Sequence, residues 1–153
     1  IIKDGVADAK QPLGYSVQYD ESVKLASDLA EKYPGISYTG HSLGGGLASA
    51  NALITESKAI TFNAAGLSNF TKDKYDLIDK TATINSYIVD GEILDRVQRN
   101  TGLRAEATTR IILPGVGSNA LERHKIANAV KAFNLYHYIQ SKPSRGTFNL
   151  GPQ

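Results

Sequence analysis

The stretch Tyr38–Leu47, YTGHSLGGGL, places one serine among four glycines, between an apolar run and a helix-forming run. Glycine weakens a strand and a helix alike, so its use at this boundary indicates a special demand on the backbone. Residues 40–44, GHSLG, fit the pattern G-x-S-x-G, in which a strand turns sharply into a helix with the serine at the apex. We therefore predict a nucleophile elbow over residues 38–46, with Ser42 at its tip.

This geometry predicts roles for the residues on either side of Ser42. Gly40 and Gly44 would avoid a collision between side chains two residues on either side of the serine. The glycines at 45–46 would let the following helix pack close to the sheet. The turn directs backbone N–H groups toward the surroundings of the serine near a helix N-terminus, where an oxyanion would be stabilised.

Composition sets the broad class of the protein. The 153 residues suit one domain, and 41% hydrophobic with 21% charged residues is ordinary for a globular chain. A net charge of +2 is too small to favour nucleic acid as a partner, and the lack of cysteine excludes disulfides and thiolate metal sites. The chain opens Ile-Ile-Lys-Asp without a methionine or a signal peptide. We expect a single domain over 1–153 that forms the C-terminal part of a longer or processed polypeptide.

Predicted strands alternate with predicted helices along the chain. This order favours an α/β fold with a mostly parallel sheet covered by helices on both faces, and ligands then bind at the carboxyl ends of the strands. Residues 1–18 are predicted to be mostly irregular. The predicted strands are 36–39, 58–63, 82–89 and 108–113; the predicted helices are 19–33, 43–56, 92–100 and 119–141, with a short helix or turn at 73–80.

A serine hydroxyl is a weak nucleophile that needs a base, and the base needs an orienting acid. His41 adjoins the serine and would point away from the reaction, and the chain order serine, acid, histidine also excludes it. His137 falls on the apolar face of a predicted helix, where a histidine is typically a core residue. His124 follows a glycine-rich loop near a helix start and is the preferred base.

The acid is expected after the strand that ends near Val89. Three carboxylates follow it, Asp90, Glu92 and Asp95. Asp90 also suits a turn before a glycine, and Asp95 suits an exposed helix position. Chemistry alone leaves the three open.

Four segments together resemble the class 3 lipases among the α/β-hydrolases, and most of all bacterial phospholipase A1-like and lipase-like domains, including those carried by effector proteins. The segments are YTGHSLGGGLASANAL, AITFNAAGL, INSYIVDGEILDRV and ERHKIANAVKAF, and the resemblance covers most of residues 1–135. It implies esterase chemistry on acyl lipids with Ser42 as nucleophile and His124 as base. The position of the family's acid falls on Glu92, although the family usually has aspartate there, so Asp90 and Asp95 remain alternatives.

The sequence departs from this family in a second respect. An earlier strand of the family ends in a Phe-Arg-Gly-Thr-like motif that gives one oxyanion donor, and no such motif occurs in this chain. The resemblance therefore implies that the Leu43 N–H supplies one donor and that a missing N-terminal segment, or a second chain, supplies the other.

The expected function is hydrolysis of carboxylic esters of lipids, as by a phospholipase A1 or lipase, through an acyl-enzyme and without a cofactor or metal. A non-lipid esterase or thioesterase is the first alternative, and residues 64–80, with Leu67, Phe70 and Tyr75, are the candidate lid that would distinguish them. A catalytically silent module that binds a partner protein is the second. The resemblance further suggests a secreted or delivered bacterial protein with an inhibitory partner.

Overall fold

The computed structural model describes the backbone of residues 12–143 and the side chains of residues 17–143. Four strands form one sheet in the order β1-β2-β3-β4, and each neighbouring pair is parallel. The prediction of an α/β fold with a largely parallel sheet is confirmed. The strands are β1 (Ser37–His41), β2 (Lys58–Phe62), β3 (Thr83–Val89) and β4 (Thr109–Leu113). The helices are α1 (Pro12–Lys32), α2 (Leu43–Ile54), α3 (Asn69–Lys74), α4 (Ile93–Thr101), α5 (Ala120–His124) and α6 (Ile126–Gln140).

Helices cover both faces of this sheet. Side chains alternate between the two faces along each strand, so one strand contributes to the packing on both faces. Ile84 of β3 belongs to a buried cluster with residues of α1 and α2. Val89, five residues further along the same strand, belongs to a second cluster with Ala129 and Ala132 of α6. The odd spacing of Ile84 and Val89 places the two clusters on opposite faces.

Two long-helix predictions are wrong in their bounds, and the short helix or turn predicted at 73–80 begins earlier, with a helix over Asn69–Lys74. The predicted helix 119–141 is broken at Lys125, whose extended backbone (φ −60°, ψ 138°) separates α5 from α6. Helix α1 begins at Pro12 rather than at Tyr19, since proline is tolerated in a first helical turn. The predicted irregular residues 1–11 lie outside the described part of the chain.

The strand that leads to Ser42 lies at an edge of the sheet. Strand β1 pairs with β2 on one side, and within residues 12–143 no strand pairs with its other side. No helix in that range is long and apolar enough to cross a membrane.

Candidate active site

Ser42 lies between the end of β1 and the start of α2, in a backbone conformation rare for a residue with a side chain (φ 56°, ψ −125°). Such strain persists only where the surroundings hold it, and it concentrates at functional sites. The Ser42 N–H donates to the Phe62 carbonyl at 3.1 Å. The Ser42 carbonyl accepts the N–H groups of Gly45 at 3.0 Å and Ala65 at 2.9 Å. These bonds tie the turn to β2 and to the loop after it.

The two motif glycines are not equivalent. A Cβ on Gly40 would stand 2.1 Å from the Gly44 carbonyl oxygen, so the turn excludes any side chain there. A Cβ on Gly44 would meet no described atom within 4 Å beyond the backbone of its own helix. The predicted collision is therefore real at Gly40, and the prediction is wrong for Gly44. The glycines at 45–46 allow close contact with the loop at 64–65 and with Tyr19.

Three side chains predicted to act together lie in one hydrogen-bonded row. His124 Nε2 is 2.8 Å from Ser42 Oγ, and His124 Nδ1 is 2.6 Å from Glu92 Oε2. A carboxylate only accepts hydrogen bonds, so Nδ1 carries the ring proton in the neutral imidazole and Nε2 is free to accept from the serine. The row therefore runs without a gap from a serine hydroxyl through an imidazole to a carboxylate.

Glu92 is held rigidly in place. It is the N-cap of α4, its carboxylate accepts the backbone N–H groups of Leu94 at 2.8 Å and of Asp95, and it is 1% exposed. Capping by Glu92 fixes both carboxylate oxygens, and one of them also meets His124. The same side chain thus caps a helix and contacts the imidazole.

The other two candidate acids point elsewhere. Asp90 is exposed, and it is its backbone carbonyl that accepts a hydrogen bond, from Arg123 Nη1 at 3.0 Å. Asp95 is buried against arginines, with Arg99 Nε at 2.7 Å and Arg110 Nη1 at 3.8 Å. The bond to Asp95 raises the pKa of Arg99. Of the three carboxylates, the structure brings Glu92 to His124.

His124 owes its position to the break between α5 and α6. Helix α5 is a short helix whose N-cap, Asn119, accepts the Glu122 N–H at 3.0 Å, and His124 is its last residue. The turn to extended backbone at Lys125 leaves this histidine at a helix end above the sheet. His137 lies on α6, exposed, with its ring against Phe133 at a centroid distance of 4.3 Å.

The predictions from sequence did not include Asn63, and they were wrong about the direction of the His41 side chain. His41 does not point away from the site: its Nε2 lies 2.6 Å from the carbonyl oxygen of His124, to which it must donate. Asn63, 1% exposed with φ 45°, directs Nδ2 to the same carbonyl at 3.3 Å, while its Oδ1 accepts the Val89 N–H at 2.9 Å. The signal for Asn63 was its place directly after a strand that neighbours β1.

The Leu43 N–H begins α2 and, in the described part of the chain, donates to no protein acceptor. The first N–H groups of a helix lack partners within it, and they carry the positive end of the helix dipole. This N–H directly follows Ser42, in the position expected for an oxyanion donor.

An apolar cavity of about 560 Å³ lies beside this site, between α1, α3 and α4. Two residues of its wall bond members of the hydrogen-bonded row. The Ala65 N–H donates to the Ser42 carbonyl, and the Leu94 N–H donates to the Glu92 carboxylate. Helix α3 contains no buried residue, and its Phe70 is 73% exposed. The lining includes Tyr19, Phe70, Tyr75, Leu94, Val97 and Leu103.

The described residues contain no group of three or more histidine, aspartate or glutamate side chains placed to hold a metal ion.

The family and the relative that this chain resembles in sequence are both named as phospholipases. Residues 2–141 match the model of a phospholipase-like family, the Tle-like phospholipase domain. The chain is also 33% identical over 114 residues to a protein named extracellular phospholipase A1 from Serratia liquefaciens. That match covers 69% of this chain and 36% of the relative, so the chain spans about a third of the relative's length. The resemblance to bacterial phospholipase A1-like domains is confirmed, and the chain belongs to the Tle-like phospholipase domain family.

Proposed function

We propose that this chain hydrolyses carboxylic esters of lipids through an acyl-enzyme formed on Ser42. The observation that carries the proposal is the row from Ser42 Oγ through His124 to Glu92, with separations of 2.8 and 2.6 Å. Membership of a phospholipase-like family and the similarity to a phospholipase A1 support the choice of lipid esters.

In the first half of the proposed reaction, Ser42 Oγ attacks the acyl carbon as His124 Nε2 takes its proton. The carbonyl oxygen becomes an oxyanion and accepts a hydrogen bond from the Leu43 N–H. The intermediate collapses to the acyl-serine, and the imidazolium gives its proton to the departing alcohol. In the second half, His124 removes a proton from water as the water oxygen attacks the acyl-serine. The bond to Ser42 Oγ then breaks, the imidazolium returns its proton to that oxygen, and the fatty acid leaves.

Glu92 has an orienting and electrostatic role in this scheme. Because it accepts the Nδ1 proton, it holds the tautomer in which Nε2 faces the serine, and it stabilises the imidazolium that forms during attack. Burial strengthens this interaction since little water screens it.

A second oxyanion donor is expected, because losing one such donor costs about 10²–10³ in turnover. We infer that it comes from a segment paired with the open edge of β1, either outside residues 12–143 or from a second chain. Hydrogen–deuterium exchange of the active protein tests this inference. Slow exchange of the β1 amides that face away from β2 supports a covering strand, and fast exchange at all of them contradicts it.

The apolar cavity favours a lipid over a small ester. An acyl chain gains about 0.8 kcal/mol for each buried methylene, so kcat/KM should rise with chain length from acetyl to dodecanoyl esters. The variant Val97→Trp narrows this cavity and should remove the preference while leaving acetyl ester hydrolysis unchanged. Ile112→Trp, on an exposed position of β4, is the matched control. A flat profile in the parent protein would favour the non-lipid esterase.

Covalent labelling with a fluorophosphonate, read by intact mass, tests the nucleophile directly. We expect one adduct on the parent protein and none on Ser42→Ala. Equal labelling of both proteins would place the nucleophile elsewhere. No labelling of a folded parent, together with no ester hydrolysis, would support the silent binding module instead.

Secretion or delivery from a bacterial cell is part of this proposal, on the strength of the relative named extracellular. Recovery of the protein from the medium of intact source cells supports it, and recovery from the cells alone contradicts it.

A further inference from the structure

Two arginines face each other on the outer side of the site. Arg123 Nη1 lies 2.6 Å, and Arg96 Nη2 lies 3.0 Å, from the point where a Cβ on Gly91 would stand. The absence of a side chain at Gly91 therefore lets two guanidinium groups approach the same space. Gly115 leaves room for Arg123 in the same way, since a Cβ there would be 3.1 Å from its guanidinium.

The charge of this arginine pair (Arg96 and Arg123) is not balanced by the described residues. Arg123 donates to the carbonyl oxygens of Gly117 at 3.2 Å and Asp90 at 3.0 Å. Among the side chains that the structure describes, those of residues 17–143, Arg96 makes no hydrogen bond, and no carboxylate lies within 4.0 Å of either guanidinium. Two cations in close proximity repel each other unless an anion lies between them.

The space between them is a recess open to solvent. It has a volume of about 450 Å³ and is lined by Asp90, Gly91, Arg96, Arg99, Asn100 and Arg123. Arg99 is already bonded to Asp95, and the single carboxylate of the lining, that of Asp90, leaves a surplus of positive charge. Asn100 adds an uncharged amide.

We propose that the arginine pair binds a phosphate oxyanion. Guanidinium groups offer paired N–H donors whose planar geometry matches phosphate oxygens, and such charge-assisted bonds are the strong ones in proteins. A phosphate bridging the two groups would remove their repulsion and satisfy the unused donors of Arg96. A monovalent halide would fill neither set of paired donors.

The position of the recess connects it to the site. Arg123 directly precedes His124, and Gly91 directly precedes Glu92. The side chains of Arg123 and His124 diverge, because the ring of His124 faces Ser42 while the guanidinium of Arg123 faces Asp90 and Gly117. A phosphate held there is a group beside the reacting ester, either a lipid headgroup at a membrane surface or free phosphate. The proposal does not depend on hydrolysis by Ser42.

Binding is therefore measured in the Ser42→Ala background, with Arg96→Gln as the test and Arg104→Gln as the control. Both arginines are exposed, and both changes remove one positive charge. The first probe is inorganic phosphate. Its effect on the Tm of thermal unfolding is compared with the effect of sodium chloride at equal ionic strength. The second is co-sedimentation with phosphatidylglycerol vesicles, compared with glycolipid vesicles that carry oleate at the same charge density.

For a headgroup site, we expect Arg96→Gln to weaken binding to phosphatidylglycerol vesicles about tenfold. Arg104→Gln should change that binding by less than about twofold, and neither variant should change binding to the oleate vesicles. For a free-phosphate site, phosphate raises the Tm of the parent and of Arg104→Gln but not of Arg96→Gln. Equal losses in the two variants would show general surface charge and overturn the proposal. So would a lack of any effect of Arg96→Gln with both probes.

Discussion

His41 donates a hydrogen bond from Nε2 to the carbonyl oxygen of His124 over 2.6 Å. The residue before the serine thus holds the backbone of the residue whose ring meets the serine. Asn63 adds a second bond to that carbonyl from the end of β2. These bonds join the segments that carry Ser42 and His124, in addition to the bond between the two side chains themselves.

Removal of the His41 donor is expected to slow catalysis without weakening substrate binding. His41→Phe keeps a ring of similar size but leaves the His124 carbonyl to Asn63 alone. We expect kcat for ester hydrolysis to fall about tenfold with KM within twofold, since small displacements of a base are costly. His137→Phe, on an exposed histidine of α6, is the control and should change neither constant. Equal kcat values in parent and His41→Phe would remove the positioning role.

The same histidine should make stability depend on pH. Burial, which disfavours the charged imidazolium, lowers the pKa of His41 below its ordinary value of 6.5, and the bond to the His124 carbonyl only partly opposes this. Below pH 6.5 the unfolded chain then binds more protons than the folded protein, so the free energy of unfolding falls as the pH drops through that value.

Urea unfolding at a series of pH values measures this effect. The parent should lose more stability below pH 6.5 than His41→Phe, and the two curves should run parallel above it. Curves that stay parallel throughout the acid range would show that the environment of His41 in the folded state is not the one described.

The assignment of the acid is tested by one charge removal at each candidate. Glu92→Gln should lower kcat by about 10⁴, because an amide in place of the carboxylate permits the wrong imidazole tautomer. Asp90→Asn should stay within twofold, since its carboxylate does not contact His124. Asp95→Asn should chiefly reduce stability through the loss of its arginine partners. A larger loss of kcat in Asp90→Asn than in Glu92→Gln would reassign the acid.

The two motif glycines should respond in opposite ways to alanine. Gly40→Ala places a methyl group 2.1 Å from a backbone oxygen and should destabilise the protein by about 1–3 kcal/mol or more. Gly44→Ala meets open space on a helix and should stabilise it by about 0.5–1 kcal/mol. Urea unfolding of both variants compares them, and similar losses would indicate that the turn constrains both flanks.

The strain at Ser42 should appear as stability gained on its removal. Ser42→Gly adopts a positive φ without steric cost, whereas Ser42→Ala retains the cost while losing the same hydroxyl. We expect Ser42→Gly to be about 1 kcal/mol more stable than Ser42→Ala, with both inactive. Equal stabilities would mean that the turn relaxes once the hydroxyl is gone.

Much of the fold could be predicted from local pattern. The strand at 58–62 and the strand at 83–89 are short apolar runs between helix signals, and the alternation of elements restricts them to a parallel sheet. The break at Lys125 could not be predicted, since the apolar spacing continues through it and no proline or glycine marks it. Tertiary contacts hold His124 at that break, and local propensity does not.

By itself, the sequence determined the elbow, because a serine between glycines at a strand–helix junction specifies a local backbone geometry. The order in which Ser42, the three candidate acids and His124 follow one another is likewise a property of the sequence alone. The different contacts of Asp90, Glu92 and Asp95 are visible only in the tertiary structure. All three follow the same strand within six residues. Only the folded chain shows that Asp95 bonds an arginine, while Glu92 at the N-terminus of α4 contacts His124. Side-chain direction over such short separations depends on capping and packing, which spacing in a sequence does not encode.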